Sequence, residues 1–166
     1  MKDVFVAIHM LLKNRKYMTA IKKLLNFDSG KIQAPYNSDL NHAWYVVGDA
    51  YYKMGEYELA LRGFKNSLRN KKDDFQAMIA VANCYSEIGR PIMTKRYLLK
   101  ALSTRGIGGK EKEVITYNLG NAYFDLKKYE FAIQEYKKIK KSKSEVYRLA
   151  RKNIDYINNQ KRQLIG

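Results

Sequence analysis

The chain has 166 residues, enough for one domain with its own core, and 32 Lys and Arg against 16 Asp and Glu give a net charge of +16. Fourteen tyrosines and only two prolines argue against disorder, and the single cysteine, Cys84, excludes an internal disulfide. No stretch approaches the roughly 20 apolar residues of a membrane-spanning helix, and no signal-peptide pattern is seen, so we expect a cytoplasmic protein.

The first part of the chain, residues 1–39, carries a weak helical pattern. Its apolar positions lie at the spacing of a helix pair: Val4, Ala7, Leu11, Tyr17, Ala20 and Leu24. We expect a degenerate helical hairpin there, followed by a long loop over residues 27–39. The carboxylate of Asp39 predicts the N-cap of a helix that begins near Leu40.

Three units then repeat one pattern, over residues 40–74, 75–109 and 110–141. The repeat distance is 34 residues from Gly48 to Ala82 and 38 from Ala82 to Gly120, and the surplus falls in the loop at residues 105–110. Apolar residues three, four and seven apart predict two helices per unit. Small residues mark where the two helices approach, and rings fill the space beside them: Gly48, Ala82, Gly120, Ala60 and Ala132, with Tyr51, Tyr85 and Tyr123.

A last helix is predicted over residues 142–160. Ser142 and Glu145 match the S-x-x-E capping box that begins many helices. The helix that follows is amphipathic, with an apolar side at Val146, Leu149, Ile154 and Ile157 and a polar outer side. A polar closing helix is what a stacked array needs, because its last unit would otherwise expose an apolar side.

The repeated pattern resembles the tetratricopeptide repeat. The unit at residues 40–74 matches it almost fully, with Trp44, Val47, Gly48, Tyr51, Ala60 and Phe64 at the characteristic positions, whereas the terminal proline of the pattern is absent. The resemblance implies an all-α fold: a single domain, residues 1–166, in which helical hairpins stack as a right-handed superhelix that ends in the capping helix.

In this family the first helix of each hairpin lines a concave surface that binds partners. By alignment the resemblance assigns the partner-binding groove to Tyr45, Asp49, Tyr52, Ile79, Asn83, Ser86, Tyr117, Asn121 and Phe124. The lysine positions of the family's carboxylate clamp hold Phe5, Ile79 and Tyr117, so that function is not expected. The asparagines can bind a peptide backbone and the rings offer flat contact area, unless the rings pack on neighbouring helices and the asparagines are solvated or cap turns.

The positive charge is uneven, at +5 for residues 1–83 and +11 for residues 84–166. The predicted basic surface comprises Lys137, Lys138, Lys140, Lys141, Lys143, Arg148, Arg151 and Lys152. Such residues either keep a solenoid soluble or attract an anionic partner, an acidic protein or phosphates. Nucleic acid is the less favoured partner because the sequence has no nucleic-acid-binding signature.

The sequence offers no catalytic, metal or cofactor site, and we expect a non-enzyme. His9 and His42 lie on different hairpins without other ligands at metal spacing, and His42 is expected to be exposed. Cys84 is expected to be a small buried residue. The loop at residues 105–110 lacks the phosphate-loop pattern and predicts a flexible turn before a helix that begins near Lys110.

Two functions follow from these features. The leading hypothesis is a protein–protein interaction module, a scaffold that holds a helical or extended partner segment in the concave groove. The alternative is a basic structural subunit of a larger complex or particle, which docks through its positive surface to a protein or to nucleic acid. Self-association is a further expectation if Val4, Leu11 and Leu12 form an exposed apolar side.

Overall fold

A computed structural model describes residues 4–163 as an open stack of helices. The helices are α1 (Val6–Lys13), α2 (Tyr17–Leu24), α3 (Leu40–Lys53), α4 (Tyr57–Asn70), α5 (Phe75–Glu87), α6 (Pro91–Leu102), α7 (Gly109–Asp125), α8 (Tyr129–Lys137) and α9 (Glu145–Gln163). Each helix packs against the next along the chain, and α9 also contacts α7. This order of contacts is that of stacked helical hairpins and confirms the predicted all-α solenoid.

The core forms where the two helices of a hairpin approach most closely. A Cβ atom added at Gly48 on α3 would lie 2.7 Å from the buried Phe64 ring on α4. A Cβ at Gly120 on α7 would collide with the Tyr136 ring on α8. The predicted close approach of the two helices at Gly48 and Gly120 is therefore confirmed. The nearest rings are Phe64 and Tyr136 of the second helix, however, and not the expected Tyr51 and Tyr123.

The turn inside each hairpin uses one residue with left-handed backbone geometry. Gly55 and Gly89 hold this position with φ of 81° and 70°, a conformation that glycine adopts at no steric cost. In the first and last hairpins the same position is held by Arg15 and Lys127, with φ of 56° and 57°. Those two turns therefore carry a small conformational strain.

The segment between α2 and α3 has more regular structure than the loop expected from the sequence. Two short antiparallel strands, β1 (Leu25–Asn26) and β2 (Lys31–Ile32), precede a 3₁₀ helix, Tyr36–Asp39. The strands form because Asn26 Oδ1 accepts a hydrogen bond from Ser29 N at 2.8 Å and Ile32 is buried. The N-cap prediction is confirmed, since the Asp39 carboxylate accepts from His42 N at 3.0 Å.

The apolar side suggested for self-association is only partly exposed. Val4 is exposed, but Leu11 and Leu12 are half-buried and pack against the core. Val6 and Met10 are the residues of α1 with the largest exposed apolar side chains. Self-association through this end of the stack stays a prediction.

The last helix, α9, closes the stack. It buries Ala150, Ile154 and Ile157 against the preceding hairpin. The predicted capping box is wrong in its cap residue: Ser144 Oγ, not Ser142, accepts the hydrogen bond from Tyr147 N, at 3.2 Å. Since α9 begins at Glu145, Ser144 is the residue just before the helix and can reach the free N–H groups of the first turn.

Candidate binding groove

The inner sides of α3, α5, α7 and α9 enclose two adjoining cavities of about 300 and 290 Å3. Ser86 and Asn121 line both cavities, so the two cavities adjoin at these side chains, and we name the pair the inner groove. Its remaining lining residues are Tyr52, Asn83, Glu87, Thr94, Asn118, Phe124, Asp125, Tyr136, Asn153 and Tyr156. Helices of successive repeat units thus bring together residues that are far apart in the chain, from Tyr52 to Tyr156.

Five of the nine groove residues predicted from the sequence line the inner groove: Tyr52, Asn83, Ser86, Asn121 and Phe124. The other four lie outside it. Asp49 forms a salt bridge to Lys53 at 2.6 Å, one turn along α3. Ile79 packs beside the core cluster around Leu98 and Leu119.

Tyr45 and Tyr117 are outside the groove because they pack against the second helix of their own hairpin. The Tyr45 ring lies 5.2 Å from the Phe64 ring, and the Tyr117 ring lies 5.7 Å from the Tyr136 ring. Both tyrosines are half-buried. The alternative that rings at these positions pack on neighbouring helices therefore describes Tyr45 and Tyr117.

Tyr52 and Phe124 combine packing with access to the groove. The Tyr52 ring meets Tyr57 at 5.3 Å, and the Phe124 ring meets Tyr129 at 5.5 Å and Tyr156 at 6.0 Å. Each ring is half-buried and still lines a cavity. Rings that are held by neighbours offer contact area to a ligand at a low entropy cost.

The two predicted asparagines differ in their hydrogen bonding. Asn121 Oδ1 accepts from the Tyr136 hydroxyl at 2.7 Å and from Asn153 Nδ2 at 3.3 Å, so it joins α7, α8 and α9. Asn83 has no side-chain hydrogen bond within residues 4–163. The side-chain oxygen of Asn121 thus accepts hydrogen bonds within the protein, whereas the side-chain donor and acceptor of Asn83 are available to a ligand in the groove.

The inner groove is weakly acidic. Its lining contains the carboxylates of Glu87 and Asp125 and no Lys or Arg. The Tyr52 hydroxyl donates to Glu87 Oε1 at 3.2 Å, and burial, together with the Glu87 charge, raises the pKa of Tyr52 to about 12. Burial also raises the pKa of Tyr136 to about 12 and the pKa of the Asp125 carboxyl above its usual value.

The groove predicted from the sequence lacked several lining residues, chiefly Asn118, Asn153 and Tyr156. Asn153 lies on α9 three residues after Ala150 and four before Ile157, both buried. Helical spacing therefore placed it on the inward side of the capping helix, and that signal could have identified it. Tyr156 follows three residues later on the same helix.

The reactive side chains of His42 and Cys84 are both withdrawn from solvent, the first in part and the second fully. The expectation that His42 is exposed is wrong, because His42 is half-buried. Its Nε2 atom lies 3.2 Å from that of His9, although the two residues are on different hairpins. Neighbouring first helices, α1 and α3, bring the two rings together on the inner side. Cys84 is buried as expected, which raises the pKa of its thiol to about 12.

Within residues 4–163, no three His, Cys, Asp or Glu side chains are grouped so that they could hold a metal ion. The same residues contain no helix with the length and apolarity needed to cross a bilayer. Helix α7 begins at Gly109, one residue before the predicted start near Lys110, so the last two residues of the predicted loop at 105–110 are helical.

The predicted basic surface lies at the end of α8, in the connection to α9 and on α9 itself. Its eight residues are all exposed. Lys138 pairs with Glu135 at 2.7 Å and Arg148 with Glu145 at 3.5 Å. Exposed pairs of this kind contribute little to stability, so most of the charge remains available to an anionic partner.

Comparison with known proteins agrees with the fold. The tetratricopeptide repeat family model matches residues 42–74 and 115–145. The structure is similar to MamA 41-end from Desulfovibrio magneticus RS-1, with a TM-score of 0.74 and 16% identity over 93% of this chain and 81% of that one. It is also similar to MamA MSR-1 C2, with a TM-score of 0.66 and 17% identity over 93% and 82% of the two chains. No curated protein matches the sequence.

Proposed function

We propose that this chain, whose residues 42–74 and 115–145 match the tetratricopeptide repeat, is a non-catalytic scaffold that binds a segment of another protein in the inner groove. The observation that carries the proposal is that the two cavities adjoin at Ser86 and Asn121. Two adjoining cavities along α5, α7 and α9 offer room for several consecutive residues of a partner, whereas a single isolated cavity would hold one side chain.

The chemistry of the groove supports a peptide ligand. Asn83 can both donate to and accept from a peptide backbone, and Tyr52 and Phe124 add rings to the groove lining. The carboxylates of Glu87 and Asp125 would repel an acidic segment, because no base in the lining offsets them. We therefore propose a neutral or basic segment as the occupant.

The test is selection of peptides from a displayed random library against the whole chain, followed by titration of an enriched peptide. The double variant Asn83→Ala/Ser86→Ala should weaken binding about tenfold, because two side chains that can hydrogen-bond the peptide are lost. The matched control is Asn159→Ala, an exposed position on α9 outside the groove lining. Binding that is equal in all three proteins, or a library that yields no ligand, would contradict the proposal.

A second candidate function is docking of an anionic partner through the basic surface. The net charge of +16 and the few salt bridges at Lys137–Lys143 and on α9 favour it. Charge reversal by Arg151→Glu/Lys152→Glu leaves the buried side of α9 intact and should weaken such a partner. Affinity for a neutral groove peptide should stay unchanged in that variant.

A further inference from the structure

Two clefts lie along the edge of the stack where one hairpin connects to the next. The first, of about 820 Å3, lies between the start of α7 and the connection from α8 to α9; we name it the C-terminal cleft. The second, of about 520 Å3, lies between the connection from α4 to α5 and the end of α6; we name it the central cleft. Both occupy the same place in the repeat, one hairpin apart.

The two clefts share one chemistry, an apolar floor beside basic side chains. The floor of the C-terminal cleft contains Val114, Ile139 and Val146, and that of the central cleft contains Phe75 and Met78. The bases are Lys110, Lys112, Lys138 and Lys140 in the first cleft and Lys71, Lys72, Lys100 and Arg105 in the second.

The loop at residues 105–110, the surplus of the repeat, connects the two clefts. Arg105, at its start, lines the central cleft, and Lys110, already in the first turn of α7, lines the C-terminal cleft. Its middle is attached to the core by Ile107, which is buried. The added residues thus place one base at the border of each cleft.

The bases of these clefts are largely unneutralised. Within residues 4–163, Lys138 is the only one of the eight that forms a salt bridge. The lining of the C-terminal cleft contains four bases and one acid, Glu113, and that of the central cleft contains four bases and one acid, Asp73. Each lining therefore has a net charge of +3. Like charges held close together repel, and an anionic ligand would relieve that repulsion.

We propose that the two clefts bind an acidic polypeptide segment that also carries apolar side chains. Its carboxylates would lie against the lysines and its apolar side chains against the floor. Val114 is 40% exposed, so it offers apolar area that a phosphate backbone cannot use. Single-stranded nucleic acid uses rings for stacking, and Phe75 is the only ring in either lining within the described residues.

The probe is a fluorescently labelled synthetic peptide in which Glu and Leu alternate, titrated into the whole chain. Three further probes separate charge from apolar contact: the analogue with Gln for Glu, the analogue with Ser for Leu, and oligothymidylate. The Glu–Leu peptide should bind at least about tenfold more tightly than each of these, because only it supplies both contacts.

Variants locate the contact. Lys112→Glu/Lys140→Glu should weaken the Glu–Leu peptide about tenfold, and Val114→Ser about fivefold, through lost charge and lost apolar area respectively. The matched control Arg62→Glu/Arg96→Glu makes the same change of charge on α4 and α6, outside both clefts and the basic surface, and should weaken binding less than about twofold. These positions are exposed, and circular dichroism checks that each variant folds.

The proposal fails if oligothymidylate or the Ser analogue binds as tightly as the Glu–Leu peptide, since charge alone would then be recognised. It also fails if the control weakens binding as much as the cleft variant, or if the Glu–Leu peptide does not bind. If the first variant does not fold, Lys71→Glu/Lys72→Glu applies the same test to the central cleft. None of these outcomes depends on the inner groove, whose lining shares no residue with the clefts.

Discussion

The inner groove and the edge clefts are made from the same helices but have opposite charge. The groove lining holds two carboxylates and no base, whereas each cleft holds four bases and one acid. Helix α7 contributes Asn121 to the groove and Lys112 to the C-terminal cleft, nine residues or about 13 Å apart along its axis. A net charge of +16 therefore says little about the charge of a particular binding surface.

The comparison separates the two proposals for partners. The groove favours a neutral or basic segment, and the clefts favour an acidic one. Since the surfaces share no lining residue, one protein can carry both partners at once, which is a property of a scaffold. Salt should weaken the cleft partner strongly and the groove partner weakly, because exposed charges are screened and apolar contacts are not.

The largest effect is expected where one change disturbs both surfaces. Gly120→Val places a branched side chain against the Tyr136 ring and should lower the free energy of unfolding by about 3 kcal/mol. Because α7 carries residues of both surfaces, binding of groove and cleft peptides should fall together. Urea unfolding followed by circular dichroism measures the loss.

Gly109→Val is the matched control for that substitution. Gly109 opens the same helix, and an added Cβ there meets no atom within 4 Å. Its free energy of unfolding should stay within about 0.5 kcal/mol of the parent. A similar loss in both variants would show that valine in α7, and not the close approach of Gly120 to Tyr136, is responsible.

The second effect distinguishes two asparagines within the groove. Asn121→Ala removes the acceptor of the Tyr136 hydroxyl and of Asn153, and should cost about 2 kcal/mol of stability. Asn83→Ala should cost less than about 0.5 kcal/mol, since its side chain makes no hydrogen bond within residues 4–163. Thermal or urea unfolding measures both, and equal costs would contradict the different roles assigned to them.

The sequence was sufficient for the architecture because the repeat signal is local. A hairpin is indicated by three features: a small residue, a ring three positions later, and a second small residue in the next helix. Gly48 and Gly120 were predicted as close-approach positions for that reason, and each contacts a ring. The same signal says nothing of which polar residues remain free.

The groove was predicted only in part because its details depend on partners outside the repeat unit. Asn121 is occupied by Asn153, 32 residues later on the capping helix. The Tyr45 ring packs against the Phe64 ring on the second helix of its own hairpin. The clefts were missed because Lys112 and Lys140 are 28 residues apart, whereas the sequence draws attention to the run at residues 137–143.

A smaller effect tests the acidic character of the groove through pH. Burial and the Glu87 charge raise the pKa of Tyr52 from 10.0 to about 12, so the folded state favours the neutral phenol. That contribution to stability is fully present below pH 10 and is lost as the pH rises from 10 through about 12. Unfolding free energies measured across this range should fall less in Tyr52→Phe than in the parent.

Glu87→Gln sharpens the same measurement. It removes the carboxylate that accepts from the Tyr52 hydroxyl, so the pKa of Tyr52 should move back towards 10.0 while burial still holds it above that value. Ultraviolet absorbance of the phenolate reports the change. A Tyr52 titration that does not respond to this variant would mean that the groove carboxylates have no electrostatic influence on its lining.

The smallest effect is expected at the turns within the hairpins, which form the edge of the stack opposite the clefts and line neither the inner groove nor the clefts. Lys127 adopts φ of 57° in the turn between α7 and α8, where two other hairpins have glycine. Lys127→Gly should relieve that strain and raise the free energy of unfolding by about 0.5 kcal/mol, less than the full strain because glycine also gains entropy when unfolded. Gly55→Ala, which adds a side chain at a left-handed position, should lower the free energy of unfolding by about 1 kcal/mol. Both variants should bind groove and cleft peptides as the parent does, because the turn edge lines neither site; a change in affinity would show that the two surfaces extend around the stack.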